Sequence, residues 1–270
     1  MWKTTKRFLN LLVILAVLSV IVVGLFTVPT TSMAPTVMKG DLVLVNKFRY
    51  GITSQNVVPV LGYYFPYKML LSFGLPRHGD IVVYMFPGQR DEIAPTQDQH
   101  YMKRCIAVSG DTLRITGDSV FVNNSRSPYD SLAVYDRGSE HLKMLNDQVK
   151  YSTFPEGKEW TISRYGPLVI PKRGDTITLD AEAWRGWSVF IAREGHNVDK
   201  KARTIDGVPA AKYVVERNYI FCLGDNRHSS VDSRYTGLIA SDRVFGSPFC
   251  AIMSGGSTAS KDRSYPRILR

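Results

Sequence analysis

The sequence has little of what cofactor and metal chemistry requires. Its 270 residues include only three cysteines, Cys105, Cys222 and Cys250. They stand far apart and no C-x-x-C pair occurs, which argues against zinc and iron–sulfur centres. Each lies among apolar neighbours and reads as a small buried hydrophobe, with one disulfide left open for a domain outside the cytoplasm. The five histidines, His78, His100, His141, His196 and His228, include no two at metal-ligand spacing. There is no glycine-rich phosphate loop, no internal repeat and no G-x-S-x-G elbow. A Ser-His-Asp triad survives simple counting, because its members are distant in sequence. Zinc-finger spacing, basic-zipper heptads and an aromatic RNA-binding signature are also missing. The net charge of +10 therefore does not point to nucleic acid. A basic surface beside anionic lipid is the simpler reading.

What is present begins at the N-terminus. From Phe8 to Val28 the chain reads FLNLLVILAVLSVIVVGLFTV, with no charged residue. As a helix rising about 1.5 Å per residue, this run covers the roughly 30 Å hydrocarbon core of a bilayer. Lys3, Lys6 and Arg7 precede it and favour a cytoplasmic N-terminus. The rival is a cleaved secretory signal, whose apolar region is usually about 7–15 residues followed by a small-x-small site. Here the run is longer, and prolines crowd the available cleavage positions. The expectation is an uncleaved single-pass anchor in the cytoplasmic membrane. Residues 1–7 would be cytoplasmic, 8–28 transmembrane helix, and the rest extracytoplasmic.

Beyond the anchor the patterning is mostly β. KGDLVLVNKF, HGDIVVYMFP and HYMKRCIAVSGDTLRI alternate and are rich in β-branched residues, and Gly-Asp turns punctuate them. GYYFPYKMLLSF is aromatic and apolar, either core, a sticky loop or a segment at the lipid interface. Between about residues 116 and 212 turn signals are dense and strands short, with one candidate helix in DAEAWRGWSVFIAREG. The reading is a catalytic β domain from residues 29–118 and 213–256, an inserted β-rich domain over 119–212, and a frayed basic tail over 257–270.

Three short stretches carry candidate chemistry. In YMKRCIAV, a strand would place Tyr101, Lys103, Cys105 and Ala107 on one face. Lysines on a polar strand face are commoner. A buried one, however, loses solvation and its pKa falls. Lowering it from about 10.4 to about 7–8 costs roughly 4 kcal/mol of ammonium stability, at about 1.4 per unit. The neutral amine can then take a proton from a hydroxyl. In VPTTSMAPT, between Pro29 and Pro35, Ser32 supplies such a hydroxyl. In GDNRHSSVDSR, two acids and two arginines surround three serines, either as a solvated loop or as an ion-paired scaffold.

Together these stretches resemble the type I signal peptidases, membrane-anchored proteases with a Ser–Lys dyad. PTTSMAPTVMKGDLVLVNKFRYG is similar to their nucleophile block, HGDIVVYMFP to the next, YMKRCIAVSGD to the base block and GDNRHSSVDSR to the last. Four blocks in order behind an anchor cover about half the chain. YGPLVIPKRGD resembles members with an enlarged second β domain.

The resemblance implies Ser32 as nucleophile, Lys103 as general base, Thr30 as an oxyanion donor and Ser230 as a hydrogen-bond partner of the lysine amine. It also implies structural pairing of Arg104 with Asp225 and of Asp232 with Arg234. Val28, Met33, Val37, Val43, Val83, Tyr101 and Met102 would line shallow pockets that select Ala-x-Ala sites. No cofactor is implied. Membrane-bound preproteins and the bilayer are the expected partners, with export machinery as a further candidate. Thr30 replaces a usual Ser, Thr31 a common Gly, Ser109 a common Pro, and His228-Ser229 an Asp-Asn pair.

Two other readings remain at this point. Pilin-processing peptidases and self-cleaving repressors share the dyad, although a repressor would carry a DNA-binding head in place of an anchor. A single-pass β-domain adaptor with incidental Ser32 and Lys103 is the non-enzyme alternative.

Overall fold

The structure, a computed structural model, describes residues 22–54, 67–96, 99–135, 153–254 and 264–269. Most of the apolar N-terminal run, the start of GYYFPYKMLLSF, His141 and the first part of the basic tail lie outside them.

The main sheet is antiparallel and eight-stranded. It contains β1 (Val23–Thr27), β2 (Leu42–Asn46), β5 (Ile81–Met85), β6 (His100–Val108), β16 (Tyr219–Leu223), β17 (Ile239–Ala240), β18 (Val244–Met253) and β19 (Arg267–Ile268). Their order is β1-β2-β18-β5-β6-β16-β17, with β19 on β18. In β2 the alternation of LVLVN turns Val43 and Val45 into the core and leaves Leu42 and Leu44 outside. β5 and β16 are buried along their whole length, as strands covered on both faces should be. The first part of β18 pairs with β5 and the remainder with β2. Gly246 marks the change, where a Cβ would meet the Asn46 carbonyl.

A hairpin of β3 (Gly51–Thr53) and β4 (Met69–Ser72) lies beside this sheet. A second sheet joins β7 (Thr112–Thr116), β8 (Ser119–Val122), β9 (Ser125–Arg126) and β10 (Arg164–Val169). Smaller pairings link β11 (Thr176–Thr178) to β15 (Lys212–Val214), and β12 (Val198–Asp199), β13 (Thr204–Ile205) and β14 (Val208–Pro209) to one another. Helix α1 spans Ala181–Arg193. Asp180 caps it by accepting from the Ala183 N–H, Glu182 and Arg193 suit its dipole, and Trp184, Phe190 and Ile191 form its buried stripe. A one-turn helix, α2 (Ser233–Thr236), is capped by Asp232.

Three expectations are corrected. The predicted transmembrane helix ran through Val28, but Val23–Thr27 is an edge strand paired with β2 along its length. Hydrophobicity alone does not separate strand from helix, and here β2 supplies a ladder partner for every residue of Val23–Thr27. Among the described residues no helix is long and apolar enough to cross a membrane. The tail over 257–270 is not frayed throughout: β19 pairs with β18, Leu269 is buried, and the Tyr265 hydroxyl donates to Asp41 at 2.7 Å. Finally, the boundary at 118/119 cuts through a sheet, because β7 pairs with β8 and β10. The inserted segment also shares one core with the main sheet, in which Ile106, Phe221 and Leu223 pack with Tyr165, Trp184 and Ile191.

Candidate active site

Ser32 sits in the turn between β1 and β2. The turn is held by Ala34 N–H to Thr31 O at 3.0 Å and Val37 N–H to Met33 O at 2.9 Å. The Ser32 carbonyl accepts from the Asn226 N–H at 3.0 Å, which ties the turn to the GDNR segment. Gly224 permits that approach, because a methyl group there would collide with the Ser32 carbonyl and the Ser230 side chain.

Lys103 projects from the middle of β6, between β5 and β16, where its register partner is Val82. It is 4 % exposed. Its Nζ lies 2.8 Å from Ser32 Oγ and 5.3 Å from the Tyr101 ring centroid. Burial pulls the ammonium down from its ordinary value to about 8, against the opposing pull of the Asp232 and Asp225 carboxylates. The desolvation foreseen for a buried strand lysine is therefore the dominant force at this amine. Thr30 Oγ1 stands 3.2 Å from Ser32 Oγ, on the same hydroxyl.

Two buried arginine–carboxylate forks brace the pair. Arg104 gives Nε to Asp225 Oδ1 at 2.9 Å and Nη2 to Oδ2 at 2.7 Å, and its Nη1 reaches the Gly79 carbonyl. Thr36 Oγ1 donates to the same carboxylate at 2.5 Å. Arg234 gives Nε and Nη2 to Asp232 at 2.8 and 2.9 Å. All four side chains are nearly or wholly excluded from solvent. A third ion pair, Arg227 with Asp130 at 3.3 Å, joins GDNR to the inserted segment. Sequence reasoning missed it because nothing local to Asp130 names its partner.

Ser230 departs from expectation. Its hydroxyl is buried but has no hydrogen-bond partner, so it does not bond the lysine amine. The amine is directed at Ser32, while the Ser230 side chain packs over Gly224. The thiols also stay single: Cys105 and Cys222 are register partners on β6 and β16, buried and unbridged, and Cys250 is free as well.

A cleft of about 540 Å³ opens over Ser32 and Lys103. Val28, Met33, Val83, Tyr101 and Met102 line it, as expected. Val37 and Val43 do not: both are fully buried in the core behind Met33. The wall also holds Phe26, Lys39, His100 and Val231, which motif reading did not select. The His100 ring meets Phe26 and Phe245 edge-on, with centroids 5.9 and 4.8 Å away. No sequence signal pairs β1 with the start of β6 in this way.

Residues 1–253 match the family profile described as signal peptidase, peptidase S26. The chain belongs to the signal peptidases. Among curated relatives, signal peptidase I of Pseudomonas fluorescens is 26% identical over 92% of this chain and 71% of its own length. Signal peptidase I of Helicobacter pylori strain J99 is 25% identical over 85% and 74%. A solved signal peptidase I from Enterococcus faecalis aligns at 18% identity over 64% of this chain and 97% of that one, with a TM-score of 0.28. As a member of this peptidase family the chain carries a buried lysine amine against a serine hydroxyl, the arrangement that a serine peptidase without histidine requires.

Proposed function

We propose that this signal peptidase is a serine endopeptidase that removes N-terminal signal peptides from exported preproteins. The observation that carries the reading is the 2.8 Å approach of a desolvated Lys103 amine to Ser32 Oγ. In its neutral form the amine takes the hydroxyl proton as Oγ attacks the scissile carbonyl. The Ser32 N–H and the Thr30 hydroxyl, 3.2 Å from Oγ, receive the developing oxyanion. The C–N bond breaks, Lys103 returns the proton to the departing amine, and an acyl-enzyme remains. Water, deprotonated by the same amine, then attacks the ester, and Lys103 returns that proton to Ser32 Oγ as the acyl C–O bond breaks. Arg104–Asp225 and Asp232–Arg234 hold β6, β16 and the GDNR segment in register and take no proton.

Specificity follows from the cleft. Val28, Met33, Val83, Tyr101 and Met102 fill its walls, which supports acceptance of small side chains such as those of Ala-x-Ala sites. Val37 and Val43 support those walls from behind.

The site belongs against the outer face of the cytoplasmic membrane, with the N-terminus in the cytoplasm. The last residues of the apolar run, Val23–Thr27, are themselves β1, so the run leads straight into the catalytic sheet. Register places Leu25, Leu44, Cys250 and Ile268 in one row across β1, β2, β18 and β19. Leu25 and Ile268 are 58 % and 71 % exposed. An apolar row of this kind is suited to the lipid interface. A substrate held in the same membrane by its own signal is thereby presented at high effective concentration.

The test offers the detergent-purified protein a secretory precursor with an Ala-x-Ala site. Wild type should yield the mature product, and Ser32→Ala and Lys103→Ala should not. Processing that survives either substitution would overturn the dyad. Failure of wild type on every such precursor would overturn the substrate class.

A further inference from the structure

Away from Ser32 and Lys103, a second cleft of about 240 Å³ lies between the β17 edge of the main sheet and helix α1. Phe86, Ile93 and Leu238 give it apolar walls, and its charged lining groups are Arg193, Arg217 and Arg243. The proteolytic reaction uses none of the three.

Arg193 is turned onto backbone carbonyls. It donates Nε to Glu92 O at 3.0 Å, Nη1 to Thr236 O at 2.7 Å, and Nη2 to Gln89 O at 2.5 Å and Glu92 O at 2.8 Å. Carbonyl dipoles solvate a guanidinium without cancelling its charge. The Glu92 carboxylate acts on it only through space, being turned onto the Gln89 N–H. Arg217 reaches Asp242 at a loose 3.7 Å and the Glu194 carbonyl at 3.4 Å. Arg243 lies over the Tyr67 ring, 5.8 Å from its centroid. Among the described residues three cations therefore line the cleft, and no carboxylate does.

The surroundings select the kind of anion. The turn Ser241–Arg243, which carries Arg243, lies against β4. On and just after β4, Leu70, Leu71 and Phe73 are each more than half exposed. A free anion would engage the arginines and leave that strip in water. An amphiphile would use both.

We propose that this cleft binds the headgroup phosphate of an anionic phospholipid, with Arg217 and Arg243 on the phosphate and the β4 side chains against the acyl chains. The proposal rests on the membrane-facing reading above and adds a defined lipid site to it.

Native mass spectrometry of the full chain released from detergent counts retained lipid directly. Wild type should keep one phosphatidylglycerol in preference to phosphatidylcholine. Arg217→Gln with Arg243→Gln should weaken that retention roughly 10- to 30-fold, a few-fold for each arginine charge removed beside an anionic headgroup. Arg114→Gln with Arg164→Gln, exposed on the β7–β10 sheet and outside the cleft lining, should leave it unchanged. Precursor cleavage in detergent should survive the arginine pair, which shows that the double variant is folded. Equal retention of the two lipids, unchanged retention in the arginine pair, or full displacement by millimolar inorganic phosphate would each overturn the proposal. Flotation of wild type with phosphatidylglycerol vesicles separates the two readings. Its failure sinks both, whereas flotation with equal lipid retention sinks only the cleft.

Discussion

The Asn226 N–H and the Ser32 carbonyl are joined at 3.0 Å, and that bond fastens the nucleophile turn to the segment bearing both buried carboxylates. Gly224, two residues earlier, leaves just enough room for it. Gly224→Ala should therefore displace the Ser32 carbonyl and the Ser230 side chain together. We predict a fall of about 10²-fold or more in kcat/KM for precursor cleavage, in line with the sensitivity of reacting geometry to ångström displacements. Circular dichroism should remain native, and a variant that cleaves at the wild-type rate would refute the account.

The pH dependence follows from Lys103. The reacting form is the neutral amine, and burial brings its pKa to about 8. Activity should rise with pH through about 8 and level off above it. Asp232 favours the charged form, so Asp232→Asn should move that limb to lower pH as well as reduce its height. An acid limb that stays put in this variant would show that Asp232 does not act on the amine.

Lys103 also costs stability. The unfolded chain protonates lysine near 10.5 and the folded chain only near 8. Between those values the unfolded state holds the extra proton, so folding stability rises with pH across that window. Below pH 8 the deficit is full, about 3 kcal/mol for a shift of this size. Lys103→Met should be inactive and more stable than wild type at pH 7 by up to that amount. The advantage should shrink as pH climbs toward 10.5. Urea melts at pH 7 and pH 10 supply the comparison.

Arg104 and Asp225 form a bidentate pair with no solvent contact. Asp225→Asn or Arg104→Met alone strands a buried charge, and should lower unfolding free energy by about 3–5 kcal/mol. Arg104→Met combined with Asp225→Leu should recover much of that stability without recovering the full rate, since Thr36 also loses its acceptor. Chemical denaturation of the three variants tests the ordering.

Thr30 offers a narrower test. Its hydroxyl lies 3.2 Å from Ser32 Oγ. Thr30→Val keeps the shape and removes the donor, so kcat should drop about 10²–10³-fold with KM little changed. Thr30→Ser should retain most of the rate. A valine variant with wild-type kcat would leave the oxyanion to backbone groups alone.

Much of this site was legible in the sequence, because its parts lie in short runs with clear periodicity. A period of two placed Lys103 on a strand, and a proline-flanked turn marked Ser32. What was not legible depends on distant chain meeting distant chain. Val23–Thr27 is as apolar as a membrane span, and only β2 alongside makes it a strand. The Ser230 hydroxyl lacks its expected partner because the amine's nearest hydroxyl is that of Ser32, a matter of ångströms that motif spacing does not encode. Val37 and Val43 were assigned to the pocket wall, although the turn of the chain sets them one layer behind it. The Arg227–Asp130 pair and the three arginines of the second cleft gave no local sign, since the groups they meet stand far off in the chain.

The strand β19 adds a matter of chain order. Arg267 donates to the Thr36 carbonyl at 2.7 Å, and the Tyr265 hydroxyl binds Asp41, so the stretch between the serine and β2 leans on residues made much later in the chain. Contacts made across 224 and 231 residues of chain therefore brace the segment that follows the nucleophile. A chain cut before Tyr265 would keep Ser32 and Lys103 and still lack two of the struts beside them, so its cleavage rate should fall although no reacting group is missing.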